Sequence, residues 1–304
     1  MKIAIVECTT DCEDAHVRQA KFIRDFLISK GHDCIILYKN TLDKYVNQKY
    51  DVIIKSYCCY HENYKAETKL YLNNKENAKF FFITNEYTIQ TRTVFQKMRK
   101  EHDFKCSIIA NFKNISDNYW YKNYFVNLNA LFFQPKEIQK KKYKVCYYGT
   151  YRKDRKKYFK KYFVSKGIHL STNIRSFKKF AKDGCQASLC KKFIWGNKKD
   201  TLGLFKYSLY IEDEWIHNNF HNLADRFYEA MSNQTVTLFD KSCIHTLENS
   251  ELKDKNYKDF IIDSYEEIEQ RDYDKDWEKQ KLWLDELQKQ KENVLEEIYR
   301  IITC

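Results

Sequence analysis

The sequence predicts an α/β fold of two doubly wound halves followed by a C-terminal helix. Three observations predict it. Short apolar runs alternate with helical patterns along the whole chain, and the one proline sits in a polar run dividing two such series. Near residue 225 a helix-to-strand unit opens with an arginine and a glutamate on one face.

Met1-Lys-Ile-Ala-Ile-Val6 reads as a first strand. Val17, Ala20, Phe22, Ile23, Phe26 and Leu27 then fall at helical spacing between Ala15 and Lys30, with Thr10 and Asp11 as caps and Gly31 as the stop. Cys34–Tyr38 is the next strand, so strand, helix, strand opens the chain as in a parallel sheet. Strands at 50–54, 79–84 and 107–110 follow, with helical stretches near 64–76 and 88–101. Pro135, before the run Lys136–Lys142, is the expected hinge. Strands at 145–149, 168–172, 193–195 and 208–211 then alternate with helices at 154–166, 174–182 and 199–206. After the unit at His221–Asp240, in which Asn233 is the expected left-handed stop, come a strand at 260–262 and a charged helix from Trp277 to Ile302. The expected domains are 1–134, 135–276 and 277–304, the last packing back toward the first.

Composition narrows the function. No apolar run reaches the roughly 18 residues of a membrane span, and the N-terminus lacks a signal peptide's long apolar core, so a cytoplasmic protein without membrane partners is expected. Eleven cysteines are scattered without a paired C-x-x-C motif, which argues for reduced thiols and against structural zinc or a disulfide framework. Lys and Arg outnumber Asp and Glu by 54 to 42, a net charge of +12 that favours a polyanionic partner. The accompanying excess of lysine, asparagine, tyrosine and isoleucine with few glycines is what an AT-rich genome produces, which weakens that charge argument.

Four stretches carry candidate chemistry. Arg226 and Glu229 project together from the first turns of a helix, where a phosphate ester and a ribose could be held; they read equally as a surface ion pair worth about 0.2–0.5 kcal/mol. Tyr148-Gly149-Thr-Tyr-Arg152 is a strand-end turn able to approach a pyrophosphate, with Arg152 forming bidentate bonds. Twelve basic residues and tyrosines interleave between Lys136 and Lys161, which suits a nucleic-acid backbone; Lys156, Lys157, Lys160 and Lys161 read as well as a solvated helix face. In the first half, Thr84-Asn85-Glu86 follows a strand, where Glu86 serves either as a general base or as the cap of the next helix. The first turn has no glycine-rich phosphate loop, so the first half is assigned to the acceptor.

The order and spacing of the opening strand, Phe82-Ile-Thr84, Phe132–Pro135, the 148–152 turn, Trp195-Gly196, Tyr210–Asp213, Asn219-Phe220 and Arg226–Met231 resemble the GT-B glycosyltransferases. Within them the chain is similar to the T-even phage DNA β-glucosyltransferase family. That resemblance implies an inverting transfer of a sugar, typically glucose from UDP-glucose, to a hydroxymethylated pyrimidine of double-stranded viral DNA, by a monomer in the host cytoplasm. The base would leave the stack to reach the enzyme. It implies donor contacts from Gly149, Arg152, Arg155, Ile194, Trp195, Asn222, Arg226 and Glu229, with Arg152 stabilising the leaving phosphate and either Arg155 or Lys156 as the turn's second cation. Lys153, Lys156 and Lys157 fall to DNA. The family's aspartate base falls on Asn85, whose amide cannot take a proton; Glu86 is therefore assigned that role, with Asp14 or Glu13 in reserve, while His16 reads either as reaching the cleft or as a partner to neighbouring side chains. A divalent ion, Mg²⁺ or Mn²⁺, suits a diphosphate but is not required, since no Asp-x-Asp pair sits where it is expected. Two rivals remain, a transferase of the same fold acting on a polysaccharide or protein and a non-catalytic DNA-binding or inhibitor protein.

Overall fold

The computed structural model describes residues 1–7, 9–12, 14–56, 64–85, 101–102, 105–111, 120–149, 151–190, 193, 201–212 and 222–304. The chain forms two compact units, Met1–Leu131 with Gln290–Cys304, and Phe132–Lys289.

The first unit is built on six parallel strands: β1 (Lys2–Val6), β2 (Asp33–Leu37), β3 (Val52–Ser56), β4 (Lys79–Thr84), β5 (Ser107–Ala110) and β6 (Asn123–Phe125), in the order β2-β1-β3-β4-β5-β6. β3 and β5 are buried along their whole length, the near-continuous burial of strands covered on both faces. Between β1 and β2, α1 (Ala15–Ser29) buries Val17, Gln19, Ala20, Ile23 and Leu27. Its cap is Asp14, not Thr10 or Asp11, and Gly31 follows it at φ 83°. A second helix, α2 (Tyr64–Asn74), precedes β4. Asn-Tyr-Phe at β6 is too short and too exposed to announce a strand in the sequence. Of the helical stretch expected at 88–101, only Glu101 is described. The last fifteen residues complete this unit: Tyr299 stacks on His32 at 5.6 Å and meets Phe26 edge-on at 6.4 Å, while Lys30 Nζ lies 2.6 Å from Glu296.

The second unit has its own six parallel strands: β7 (Tyr143–Tyr148), β8 (Ile168–Ser171), β9 (Ser188–Cys190), β10 (Phe205–Tyr210), β11 (Val236–Asp240) and β12 (Ile261–Ile262). Their order is β12-β11-β10-β7-β8-β9, so the topology reverses between β7 and β10, as it does between β1 and β3 in the first unit. Such a reversal leaves a crevice beyond the carboxyl ends of the strands, the usual seat of ligands in open α/β sheets. The helices are α3 (Lys156–Tyr162), α4 (Ile174–Lys182), α5 (Asp225–Ser232), α6 (Ile244–Glu248), α7 (Tyr265–Glu269) and α8 (Tyr273–Gln280), then α9 (Leu284–Thr303), which leaves this unit at Gln290.

Four expectations are corrected here. The edge strand is Ser188–Cys190 rather than 193–195; Phe193 instead packs into the core against Phe205 at 5.7 Å, its N–H donating to Ser171 Oγ, while Ile194 and Trp195 lie outside the described residues. The helix expected at 199–206 is, from Thr201, a single 3-10 turn (Thr201–Leu204), because Phe205 is already needed in the β10 ladder beside Tyr143. Asn233 keeps a negative φ, and Gln234 takes the left-handed conformation at φ 52°. Finally, the terminal pattern from Trp277 is broken by a 3-10 turn at Lys281–Trp283, which seats Trp283 edge-on against Phe260 at 5.3 Å.

Candidate functional site

The best-defined polar constellation of the second unit sits at its topological reversal. β10 ends at Tyr210, and two residues on the chain places Glu212 with 1 % of its surface exposed. Arg155 enters from the turn before α3 and Arg226 from the first turn of α5. Arg155 Nη2 lies 3.5 Å from Glu212 Oε2 and Arg226 Nη2 lies 3.5 Å from Glu212 Oε1, so one buried carboxylate holds two guanidinium groups. Arg226 also donates to the Ile211 carbonyl at 3.1 Å and lies over the Tyr210 ring at 5.7 Å. Arg155 donates to Tyr147 Oη at 2.7 Å. Burial opposes the charge of Arg226, but the Glu212 carboxylate, joined by Tyr147, Tyr210 and Asp225, more than offsets it and keeps the guanidinium protonated. Two guanidinium groups on one carboxylate leave that triad one positive charge in excess, with the Asp225 and Glu229 carboxylates close by.

Glu229 lies one helical turn beyond Arg226 and is 3 % exposed. Tyr148 Oη donates to its Oε2 at 2.8 Å and lies 2.9 Å from the Arg226 carbonyl, tying the end of β7 to α5. Burial, and then the Glu229 charge, push the Tyr148 hydroxyl far above its ordinary range, so it remains a donor. The surface ion pair between Arg226 and Glu229 is therefore not what organises these residues: each has a different buried partner. Next to Tyr148, Gly149 has φ 150° and donates to the Ser171 carbonyl at 3.2 Å. A side chain there would be strained and would meet the Tyr147 hydroxyl oxygen at 3.4 Å.

The other sequence-derived candidates separate. Arg152 lies exposed at the start of the turn, whereas Arg155 is the turn residue buried against Glu212. Asn222 is half-buried ahead of α5. Lys153 is exposed; Lys156 Nζ pairs with Asp183 at 2.6 Å, and Lys157 Nζ lies over the Tyr158 ring at 5.1 Å. Lys161 is committed to Asp240, also at 2.8 Å, and so is part of the fold rather than of a basic face. Among the described residues no group of three or more His, Cys, Asp or Glu side chains is placed to hold a metal ion. No helix among them is long and apolar enough to cross a membrane.

In the first unit a smaller polar group lines the corresponding edge of the sheet. Asn85 follows β4; its carbonyl accepts from Gln19 Nε2 at 3.3 Å and its amide donates to Asn129 at 3.0 Å. Glu7 follows β1 with none of its surface exposed, and its Oε2 lies 3.8 Å from His16 Nε2, which in turn is 3.4 Å from Thr9 Oγ1. Asp14 is the cap residue of α1. Glu86 and Glu13 lie outside the described residues. Glu212, Tyr148 and Glu7 were not singled out from sequence. The signal for the first and last was present, as an acid directly following an apolar strand in Tyr210-Ile-Glu212 and Ile5-Val-Glu7.

The fold is α/β, GT-B: two parallel six-stranded sheets with a long C-terminal helix. In particular, it is similar over 100 % of both chains to the DNA modifying enzyme β-glucosyltransferase, solved with and without uridine diphosphoglucose, at a TM-score of 0.72 and 17 % identity. It is similar over 99 % of this chain and 98 % of the other to an α-glucosyltransferase in complex with UDP-glucose and DNA containing an abasic site, at a TM-score of 0.63 and 14 % identity. A further α-glucosyltransferase structure, with UDP and a 13-mer DNA containing an HMU base, matches over 97 % and 99 % at 0.65 and 13 %. No protein-family model and no curated protein sequence matches the chain.

Proposed function

We propose that this protein is an inverting, UDP-sugar-dependent glycosyltransferase that modifies a hydroxymethylated pyrimidine in double-stranded DNA. The observation that carries the reading is the pair of guanidinium groups on Glu212 at the reversal point of the second sheet, beside the buried Glu229. A departing UDP gains negative charge on its β-phosphate, and fixed cations aimed at that charge lower the barrier electrostatically. Arg226 and Arg155 supply it, with Arg152 on the exposed side of the same turn; Glu229 accepts hydrogen bonds from the ribose hydroxyls. Gly149, Asn222 and the 194–195 stretch complete the donor contacts. Neighbouring structures that hold UDP or UDP-glucose, and in two cases DNA, support both the donor and the acceptor. Lys153, Lys156 and Lys157 are assigned to the DNA backbone, where contacts of lysine with phosphates are sequence-independent.

The residues present fit UDP without a cation, since guanidinium groups can balance the diphosphate; Mg²⁺ or Mn²⁺ would add charge without replacing them. Calorimetry on Arg226→Ala tests the donor site: UDP affinity should fall by about 1.5–3 kcal/mol, the worth of a lost charge-assisted bond. Unchanged affinity would remove the reading. Mass spectrometry of nucleosides from hydroxymethylated DNA, incubated with the protein and a panel of UDP-sugars, identifies base and sugar together.

A further inference from the structure

Parallel strands all start at one end of their sheet, about 4.8 Å apart, so residues that open neighbouring strands become neighbours whatever their distance in the chain. In the first unit three adjacent strands are each opened by a lysine. Lys79 is the first residue of β4, Lys105 stands just before β5, and Lys122 immediately precedes β6. Lys75, just past the end of α2, joins them. The four line one cavity of about 640 Å³ at the amino ends of these strands, the opposite end of the sheet from Glu7 and Asn85. Ile301 and Cys304, at the end of α9, complete its wall.

Glu76 is the one side-chain carboxylate among the described lining residues. Even with a main-chain carboxylate at Cys304 set against them, the ammonium groups stay in excess. None of the four lysines is paired with a carboxylate among the described residues. Lys105 and Lys122 lie over the Tyr121 ring instead, at 5.7 and 5.8 Å, which holds the two side chains without cancelling their charge. Like charges gathered on neighbouring strands oppose folding, and an anion in the cavity would relieve them. The volume is that of a small-ligand pocket, roughly 300–1,000 Å³, and more than an inorganic phosphate fills. Phe80, Phe81, Tyr121 and Tyr124 give the wall an aromatic part, on which a base can rest while the lysines act as point charges on phosphates. A nucleic-acid strand would call for a basic stripe along an open face, not a recess.

We propose that this cavity is an anion site for a phosphorylated small molecule of nucleotide size, with its phosphates among Lys75, Lys79, Lys105 and Lys122 and its uncharged part against the aromatic wall. The site is separate from the proposed transfer, since none of its residues belongs to the donor or acceptor groups described above. An occupant would also bridge the strand starts to the end of α9 and so fasten residues 290–304 to this unit.

The exposed Cys304 thiol at the rim reports occupancy without interference from ligand bound elsewhere. Its alkylation by iodoacetamide, followed by peptide mass spectrometry at constant ionic strength, should slow saturably with inorganic pyrophosphate and, at lower concentration, with ADP. Lys105→Gln combined with Lys122→Gln should raise the half-protecting pyrophosphate concentration about tenfold, with melting unchanged. If that pair melts early, Lys75→Gln with Lys79→Gln carries the same measurement. Protection by neither probe overturns the proposal, as does protection that survives both pairs of substitutions. ADP that protects no better than pyrophosphate overturns the nucleotide character of the ligand. Protection by a DNA duplex alone overturns the small-molecule site in favour of a nucleic-acid surface.

Discussion

Each unit buries a cluster of opposite charges, and the two clusters end differently. In the first unit Lys55, in the middle of the sheet with none of its side chain exposed, places Nζ 2.9 Å from both oxygens of Glu67 on α2, and Tyr71 donates a further bond at 3.0 Å. The two charges are matched one to one. In the second unit Glu212 faces two arginines at 3.5 Å, one charge is left over, and 15 % of the Arg226 side chain reaches the surface. A charge-matched pair of this kind ties α2 to β3. In the proposed donor site, the triad's excess cation is what the diphosphate would meet.

Breaking the matched pair should have the largest effect. Lys55→Met leaves a carboxylate buried without its countercharge, and stability measured in urea should fall by about 3–5 kcal/mol; replacing Glu67 by leucine in the same chain should recover most of it. Recovery of nothing would mean that Lys55 acts through packing alone. Glu212→Gln should cost less, about 1–3 kcal/mol, since each guanidinium keeps its bond to Tyr147 or to the Ile211 carbonyl. Here the contrast sharpens. Saturating UDP should raise the melting temperature of Glu212→Gln by more than it raises that of the wild type, because the phosphates supply the missing anion. The Lys55 variants should show the wild-type increment; equal increments in Glu212→Gln, the Lys55 variants and the wild type would erase the distinction. Smallest is Lys156→Ala, which should leave melting unchanged yet reduce the salt slope of duplex binding by roughly 0.9, the value of one phosphate contact.

Most of the fold was legible because parallel strands buried on both faces leave long apolar runs, such as Lys79–Thr84 and Val236–Asp240, that little else produces. The errors came where tertiary pairing overrode local pattern. Phe193 is as apolar as a strand residue but is used as a core plug, and β6 is held by its neighbour β5 rather than by its own composition. In the site, Arg226 and Glu229 were visible as a pair on one helix turn, yet their partners were not. Glu212 and Tyr148 reach them from other strands, and no spacing in the chain encodes that meeting. The resemblance gives Arg152 the leaving phosphate, but burial, which the sequence does not show, sets the turn's two arginines apart: Arg155 lies against Glu212 and Arg152 is exposed.

The return of residues 290–304 to the first unit sets an order on the ribosome. Ile298 and Ile302, with 1 % and 0 % of their surface exposed, belong to a unit whose other members end at Leu131, far upstream of Gln290. The leading half must therefore wait, incompletely closed, while the trailing half acquires every strand it needs. A nascent chain halted after Lys289 would carry every strand of the second sheet and a first unit in which Phe26 and His32 still lack their contacts with Tyr299.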